Sequence, residues 1–223
     1  MQHFSLDYKL NLILIFIGGV AFGTVLKQII NWVEVDKFRI QQKNVIIELA
    51  SGFIWVWGFS HLPLAEAVVF ALVASILISI GFVDYFTMQI PLILILVGFA
   101  VALSGVLFGD MYFTASLWGI FVGAVIPLMI MGLTYLVTKR QGMGYGDIQL
   151  GVVLGAWLGP MRMALTLFGA SVLSLLTWIA VSLLKDFDKN RALPMAPFLA
   201  IAGIGVYIGS IYYPGFFHLL ILQ

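Results

Sequence analysis

Cysteine and charge are what this chain of 223 residues has least of. It contains no cysteine, and only 9% of its residues are charged. The absence of cysteine excludes disulfides, thiolate metal sites and cysteine nucleophiles. Its 11 basic and 10 acidic residues give a net charge of +1. The basic residues are scattered among short segments, which argues against a nucleic-acid partner.

Apolar residues dominate the sequence instead. Hydrophobic residues make up 62% of the chain, and the mean hydropathy is +1.11, far outside the range of soluble domains. The apolar runs are long enough for helices that cross a bilayer, and they lack the strict alternation of membrane barrel strands. The sequence therefore predicts an all-α, polytopic membrane helical bundle whose partner is the lipid bilayer.

Breaks between the apolar runs divide the chain into about eight predicted spans. They cover residues 10–30, 45–59, 65–83, 91–109, 115–138, 147–159, 162–184 and 197–221. Only a short segment around Pro160 separates the sixth from the seventh, so these two could form one kinked helix. The first run is predicted to be an uncleaved span rather than a signal peptide. We expect a single membrane domain over residues 1–223, with an N-terminal pair of spans in residues 1–60.

The distribution of lysine and arginine orients these spans. One side holds little beyond Lys9 and Arg162. The loops after spans one, three, five and seven hold Lys37, Arg39, Lys43, Lys139, Arg140, Lys185, Lys189 and Arg191. These loops are predicted to be cytoplasmic, with both termini on the other side.

Two aspartates stand at ends of the predicted spans. Asp84 ends the third span and Asp147 begins the sixth, and the 62 residues between them fit one helix out and one helix back. Both carboxylates are therefore predicted to lie at the cytoplasmic face. Because an ionisable group at the edge of an apolar segment is costly, a functional site with a partner is expected. Each aspartate is the expected partner of the other.

Glycines surround the second aspartate. Gly144 and Gly146 precede Asp147, and glycine permits both unusual backbone conformations and the close approach of a substrate peptide. The three glycines that follow recur at every fourth position and so share one helical face, a pattern that permits tight helix packing in lipid: Gly151, Gly155 and Gly159. Such packing would also hold Asp147 within reach of Asp84.

Prolines mark two further segments. Pro91 follows Asp84 by seven residues, and Pro194 and Pro197 flank the entry to the last span. Alone, these residues indicate only a helix cap and helix starts.

Together these segments resemble the type IV prepilin peptidase family, membrane aspartic proteases that carry a Gly-x-Gly-Asp motif. The family's first aspartate lies in an Asp-to-Ile-Pro segment, matched by Asp84 to Pro91, and its second aspartate is matched by Asp147. The segment from Pro194 to Leu199 and the one around Glu48 also look alike, and Gln149 stands where the family often has lysine. The resemblance implies that Asp84 and Asp147 are catalytic. It makes the following residues motif or substrate-binding candidates: Gly144, Gly146, Gln149, Pro91, Pro194, Pro197 and Glu48.

The function implied by this resemblance is removal of a short basic leader from prepilins or pseudopilins at the cytoplasmic face of a bacterial inner membrane. Residues 61–223 would form the peptidase core, and no metal or organic cofactor would be needed. Only about 14 residues, 31–44, join the first two spans, so the zinc site of the family's cysteine-rich loop is absent. N-methylation of the product is therefore in doubt, and S-adenosylmethionine would be needed only if that reaction were retained.

Four alternatives stay open at this point. A presenilin-like or signal-peptide-peptidase-like protease shares the Gly-x-Gly-Asp motif, but Val83 precedes Asp84 here where those proteases have tyrosine. An ion-coupled transporter would place its carboxylates near the middle of the membrane. A divalent cation held by two aspartates is disfavoured because so few protein oxygens make a poor site. An inactive scaffold protein is excluded only by an assay.

Overall fold

The computed structural model describes residues 2–33, 38–108, 111–139, 144–184 and 193–220. For residues 2–8 and 218–220 it describes the backbone alone. All regular elements in these ranges are helices, which confirms the predicted all-α class. They are α1 (Gln2–Val33), α2 (Ile46–His61), α3 (Leu64–Thr87), α4 (Leu92–Leu107), α5 (Phe113–Thr138), α6 (Tyr145–Leu184), α7 (Ala196–Tyr212) and α8 (Pro214–Leu220).

Four of these helices are long and apolar enough to cross a membrane. They are α1 over Lys9–Val33, α3, α5 and α6, while α4 and α7 are shorter apolar helices. The predicted spans two to five agree with α2 to α5 to within about four residues, the margin expected of boundaries read from a sequence. The chain is an integral membrane protein. The exact number of spans and the orientation stay predictions. Several of the basic residues on which the orientation depends lie outside the described residues: Lys37, Arg140, Lys185, Lys189 and Arg191.

The predicted last span, residues 197–221, is interrupted near its end. Helix α7 ends at Tyr212, and Tyr213 has φ −125° and ψ 55°, outside the helical region. The next residue is Pro214, which begins α8. Proline disfavours the helical conformation in the residue before it, and this accounts for the break.

Helix α6 reverses its direction at Gly159. This glycine has φ 75° and ψ 175°, a conformation that side chains on Cβ disfavour, and Pro160 follows it. Leu154 and Thr166 lie on opposite sides of the break, yet both are within 4 Å of the position that a Cβ atom would take at Gly203 in α7. In a straight helix these two residues would be about 18 Å apart. Helix α6 therefore consists of two antiparallel helices, α6a (residues 145–158) and α6b (residues 160–184). The turn between them lies between the predicted sixth and seventh spans.

Helix α6a packs tightly against α5. A Cβ atom at Gly119 would overlap the backbone of Gly155, and one at Gly123 would overlap the backbone of Gly151. Ser116 donates a hydrogen bond of 3.0 Å to the carbonyl oxygen of Ala156 across the same interface. The glycine pattern thus serves close helix packing, as it does in other membrane helices.

Helix α3 lies at the centre of the bundle. It contacts α1, α2, α4 and α7, and its side chains are largely buried between Ala67 and Asp84. Its last turn lies beside the first turn of α7, because Gly81 packs against the backbone of Pro197. The first turn of α6a lies beside the start of α4, where Gly146 packs against Ile90. The ends of four helices thus meet at one end of the bundle.

Candidate active site

Asp84 lies in the last turn of α3 and is 5% exposed. Met88 ends that helix in the left-handed conformation, with φ 53°, and its N–H donates to the carbonyl oxygen of Asp84. This left-handed residue is a common helix ending, since it satisfies a carbonyl of the last turn. Asp84 is therefore part of a buried helical turn with a defined end and does not lie in a loop.

The carboxylate of Asp84 is bound by the start of α7. The main-chain N–H of Ala196 donates a hydrogen bond of 3.1 Å to Oδ2 of Asp84. The first amides of a helix have no partner within it and carry partial positive charge, so a carboxylate is favoured there. Pro194 precedes the cap residue Met195, and Pro197 lies in the first turn. The two predicted prolines therefore flank the amide that binds Asp84.

Asp147 lies in the first turn of α6a and is partly exposed. Its Oδ2 accepts a hydrogen bond of 3.2 Å from the main-chain N–H of Gly144. A Cβ atom at Gly146 would lie only 3.1 Å from Cβ of Ile90, and Pro91, which follows Ile90, is the cap residue of α4. The glycine at 146 thus permits the start of α6a to lie close to the start of α4.

The two aspartates lie close enough to act on each other. Two carboxylates in one partly buried site repel each other when both are ionised. One oxygen of each carboxylate is bound by a main-chain amide from a neighbouring segment. The site therefore holds two oriented carboxyl groups, one deeply buried and one partly open.

Two candidate residues from the sequence lie apart from this pair. Gln149 is exposed on the surface of α6a, and no contact described for it joins it to either aspartate. Glu48 is buried in α2, where its Oε1 forms an ion pair of 2.8 Å with Nζ of Lys27. Their predicted roles with substrate stay predictions.

The described residues contain no group of three or more histidines, aspartates and glutamates that could hold a metal ion. The requirement for cofactors stays a prediction.

The sequence analysis did not identify the partners of two acidic residues, Asp84 and Glu48. The amide of Ala196 lies 112 positions from Asp84, and no pattern in either segment indicates the contact. Lys27 could have been found, because it is a lysine inside a predicted apolar span. Such a residue is expected to have a buried partner of opposite charge, and Glu48 near the start of the next span was available.

This chain is similar to known proteins over the region that contains the two aspartates. Residues 71–179, which contain both aspartates, match the type IV leader peptidase family. A prepilin leader peptidase/N-methyltransferase of Pseudomonas aeruginosa is 29% identical over 183 residues, covering 75% of this chain and 58% of the relative. The proteins of the same name from Stutzerimonas stutzeri and Dichelobacter nodosus are each 30% identical, covering 75% and 78% of this chain and 58% and 62% of the relatives.

This chain thus spans somewhat more than half of the length of these three relatives. No solved structure gives a match. Asp84, Asp147 and the glycines before Asp147 all lie in the segment that the family match covers. Over residues 71–179, this chain is thus similar to the type IV leader peptidase family.

Proposed function

We propose that this protein is a membrane aspartic endopeptidase that removes the leader peptide from type IV prepilins or pseudopilins at the cytoplasmic face of a bacterial inner membrane. The observation that carries the proposal is the meeting of Asp84 and Asp147 at one end of the bundle, each with a carboxylate oxygen bound by a main-chain amide. The names of the relatives, prepilin leader peptidases, supply the substrate class.

The chemistry follows from two carboxyl groups in one site. Two carboxyl groups that come together in one site do not ionise together readily, so such a pair tends to share one proton. The ionised carboxylate takes a proton from a water molecule, whose oxygen attacks the carbonyl carbon of the scissile peptide bond. The protonated carboxyl group donates its proton to the carbonyl oxygen. The tetrahedral intermediate then collapses, the C–N bond breaks and the leaving amine takes a proton from the pair.

The two amides keep the carboxyl groups oriented through these steps. Ala196 N–H and Gly144 N–H each hold one carboxylate oxygen, which limits rotation of the side chain. The roles of base and acid can exchange between the aspartates, so the pair rather than either residue carries the two proton transfers.

The position of the pair also suits the substrate class. A leader rich in basic residues stays on the cytoplasmic side of a membrane, and the peptide bond that follows it would reach the end of the bundle that holds the aspartates. The family match favours this activity over a presenilin-like protease. A transporter is disfavoured because both carboxylates stand in terminal helical turns rather than in the middle of a span.

The direct test is co-expression of the intact chain with a type IV prepilin in a strain that lacks its own prepilin peptidase. We expect the prepilin to lose its leader, seen as a shift in the mass of the intact protein. Failure to process a prepilin that the Pseudomonas aeruginosa relative cleaves in the same strain would contradict the proposal. The mass of the new N-terminus also reports whether the product is methylated, a reaction that the proposal does not include.

A further inference from the structure

Lys27 is a buried lysine with a complete set of partners. It lies in α1 and is 7% exposed, and Glu48 in α2 is 6% exposed. Its ammonium group has three donors, and three acceptors surround it: Oε1 of Glu48 at 2.8 Å, the carbonyl oxygen of Gln42 at 3.2 Å and that of Asn44. Two of the three acceptors therefore belong to the backbone between α1 and α2.

Residues 38–45, which we term the connecting segment, are held a second time by α1. Asn31, one turn beyond Lys27, pairs with both backbone groups of Ile40. Its Oδ1 accepts from the N–H at 2.7 Å, and its Nδ2 donates to the carbonyl oxygen at 3.2 Å. The side chain of Ile40 is itself buried in the core. The connecting segment contains no helix or strand. The side chains of Lys27 and Asn31 therefore supply hydrogen bonds to backbone groups that have no partner in a helix or strand.

The connecting segment also reaches the helix turn that carries Asp84. The ring of Phe38 stacks on that of Phe86, with centroids 5.6 Å apart and planes 17° from parallel. Phe86 lies two residues after Asp84, and its ring also contacts Phe82 one turn earlier at 5.0 Å. The last turn of α3 is thus supported on one side by the start of α7 and on another by the connecting segment.

Helix packing alone does not require the charged pair. Gly19 packs against the backbone of Gly52, and Gly23 packs against that of Glu48, so α1 and α2 would contact each other without it. A buried ion pair is often replaceable by apolar residues without loss of stability. Apolar residues cannot replace the hydrogen bonds that Lys27 donates to the carbonyl groups of Gln42 and Asn44.

We propose that Lys27, together with Glu48 and Asn31, holds the connecting segment against the last turn of α3 and thereby positions Asp84 for peptide cleavage. The three are positioning residues, since the contacts described for them reach Asp84 only through Phe38 and Phe86. All lie outside the segment 71–179 that matches the family. The inference rests on the proposed function for its effect on cleavage. The attachment of the connecting segment to Lys27 and Asn31, which we term the tether, can be tested without any activity.

The first test uses the double variant Lys27→Met, Glu48→Met, which removes both charges and leaves no buried charge unpaired. We expect it to fold and to melt near the temperature of the wild type. Its kcat for leader cleavage should fall tenfold or more, with a smaller change in KM, because misplacement of a reacting group by 1 Å can cost about a hundredfold in rate. The matched control is Lys9→Met, which removes an exposed lysine from the same helix and should change neither quantity.

The second test reports the tether directly. The chain has no cysteine, so Ile40→Cys introduces a single thiol into the connecting segment, at a side chain that is only 5% exposed. Its reaction with a soluble maleimide should be several-fold faster when Lys27 and Glu48 are both methionine than in the otherwise native chain. An unchanged labelling rate would overturn the tether, whether or not the protein cleaves prepilins.

Asn31→Ala gives an independent route if the double variant does not fold. It removes only the pairing with the backbone of residue 40 and should also lower kcat and accelerate labelling of the cysteine at position 40. A folded variant with faster labelling but the kcat of the wild type would overturn the positioning of Asp84. If the wild-type chain itself cleaves no prepilin, the proposed function fails, and the labelling experiment still decides whether the tether exists.

Discussion

The main-chain N–H of Ala196 binds Oδ2 of Asp84 at 3.1 Å, across 112 positions of the chain. This hydrogen bond joins the first residue of α7 to the last turn of α3. It explains why the prolines around Ala196 belong to the same site as the aspartate, although neither proline side chain needs to take part in the reaction. We therefore expect the spacing between these two helices to affect leader cleavage.

Gly81→Val tests that spacing. A Cβ atom at Gly81 would lie 3.1 Å from Cα of Pro197, so valine should push the start of α7 away from α3 and lengthen the bond from Ala196 to Asp84. We expect leader cleavage to slow about tenfold or more and the free energy of unfolding to fall by about 1–3 kcal/mol. The matched control is Gly209→Val in α7, where a Cβ atom meets nothing within 4 Å. Equal rates in the two variants would contradict the role of the spacing.

Gly151→Ala and Gly155→Ala test the packing of α6a on α5. Each new methyl group would overlap backbone atoms of α5, at Gly123 and Gly119 respectively, so the helices must separate. We expect each variant to lose about 3 kcal/mol of stability, measured as a lower unfolding midpoint in detergent. Gly132→Ala in α5, where nothing lies within 4 Å, should melt at or above the wild-type midpoint, because alanine favours helix. Native-like melting of both interface variants would be incompatible with this packing.

Two single-cysteine variants test the predicted orientation. Lys43 lies in the connecting segment and Tyr112 lies just before α5, and both are exposed. With a maleimide that does not cross membranes, Tyr112→Cys should react on intact spheroplasts. Lys43→Cys should react only after the membrane is opened. The reverse pattern would put the aspartates on the side opposite to the prepilin leader.

Tyr207→Phe tests whether the two ends of the bundle act independently. The hydroxyl group of Tyr207 donates a hydrogen bond of 2.6 Å to Oε1 of Glu66 at the start of α3, about 27 Å along the helix from Asp84. Its loss should lower the stability by about 1.5–3 kcal/mol, as expected for a bond to a charged group, without changing kcat below the melting transition. Tyr213→Phe, at an exposed tyrosine, is the control for stability. A large fall in kcat for Tyr207→Phe would show that the ends are coupled.

The sequence was sufficient to predict the elements that carry the site. Apolar runs and their breaks predicted the helices, and helix counting put Asp84 and Asp147 at one end of the bundle. The glycines after Asp147 predicted a tightly packed helix face, because only small residues permit such contact. These features are local or periodic, and a single sequence displays them directly.

The partners across the bundle could not be predicted in the same way. The glycine pattern showed which face of α6a packs, but it did not identify α5 as the neighbour. The bond from Ala196 to Asp84 and the bonds from Lys27 to the connecting segment join positions far apart in the chain, and they depend on the final packing of the helices. The reversal at Gly159 could be recognised only from the backbone conformation, because a Gly-Pro pair in a sequence is also compatible with a kinked helix.

The most direct test of the central claim is the kcat of purified wild-type protein, Asp84→Asn, Asp147→Asn and the double variant on a prepilin substrate. Asparagine keeps the size of the side chain but can neither accept nor release the required proton. We predict that each single variant loses at least about a hundredfold in kcat. The double variant should be no slower than the singles, because the two residues act as one unit. A single variant that retains the kcat of the wild type would contradict the aspartate pair.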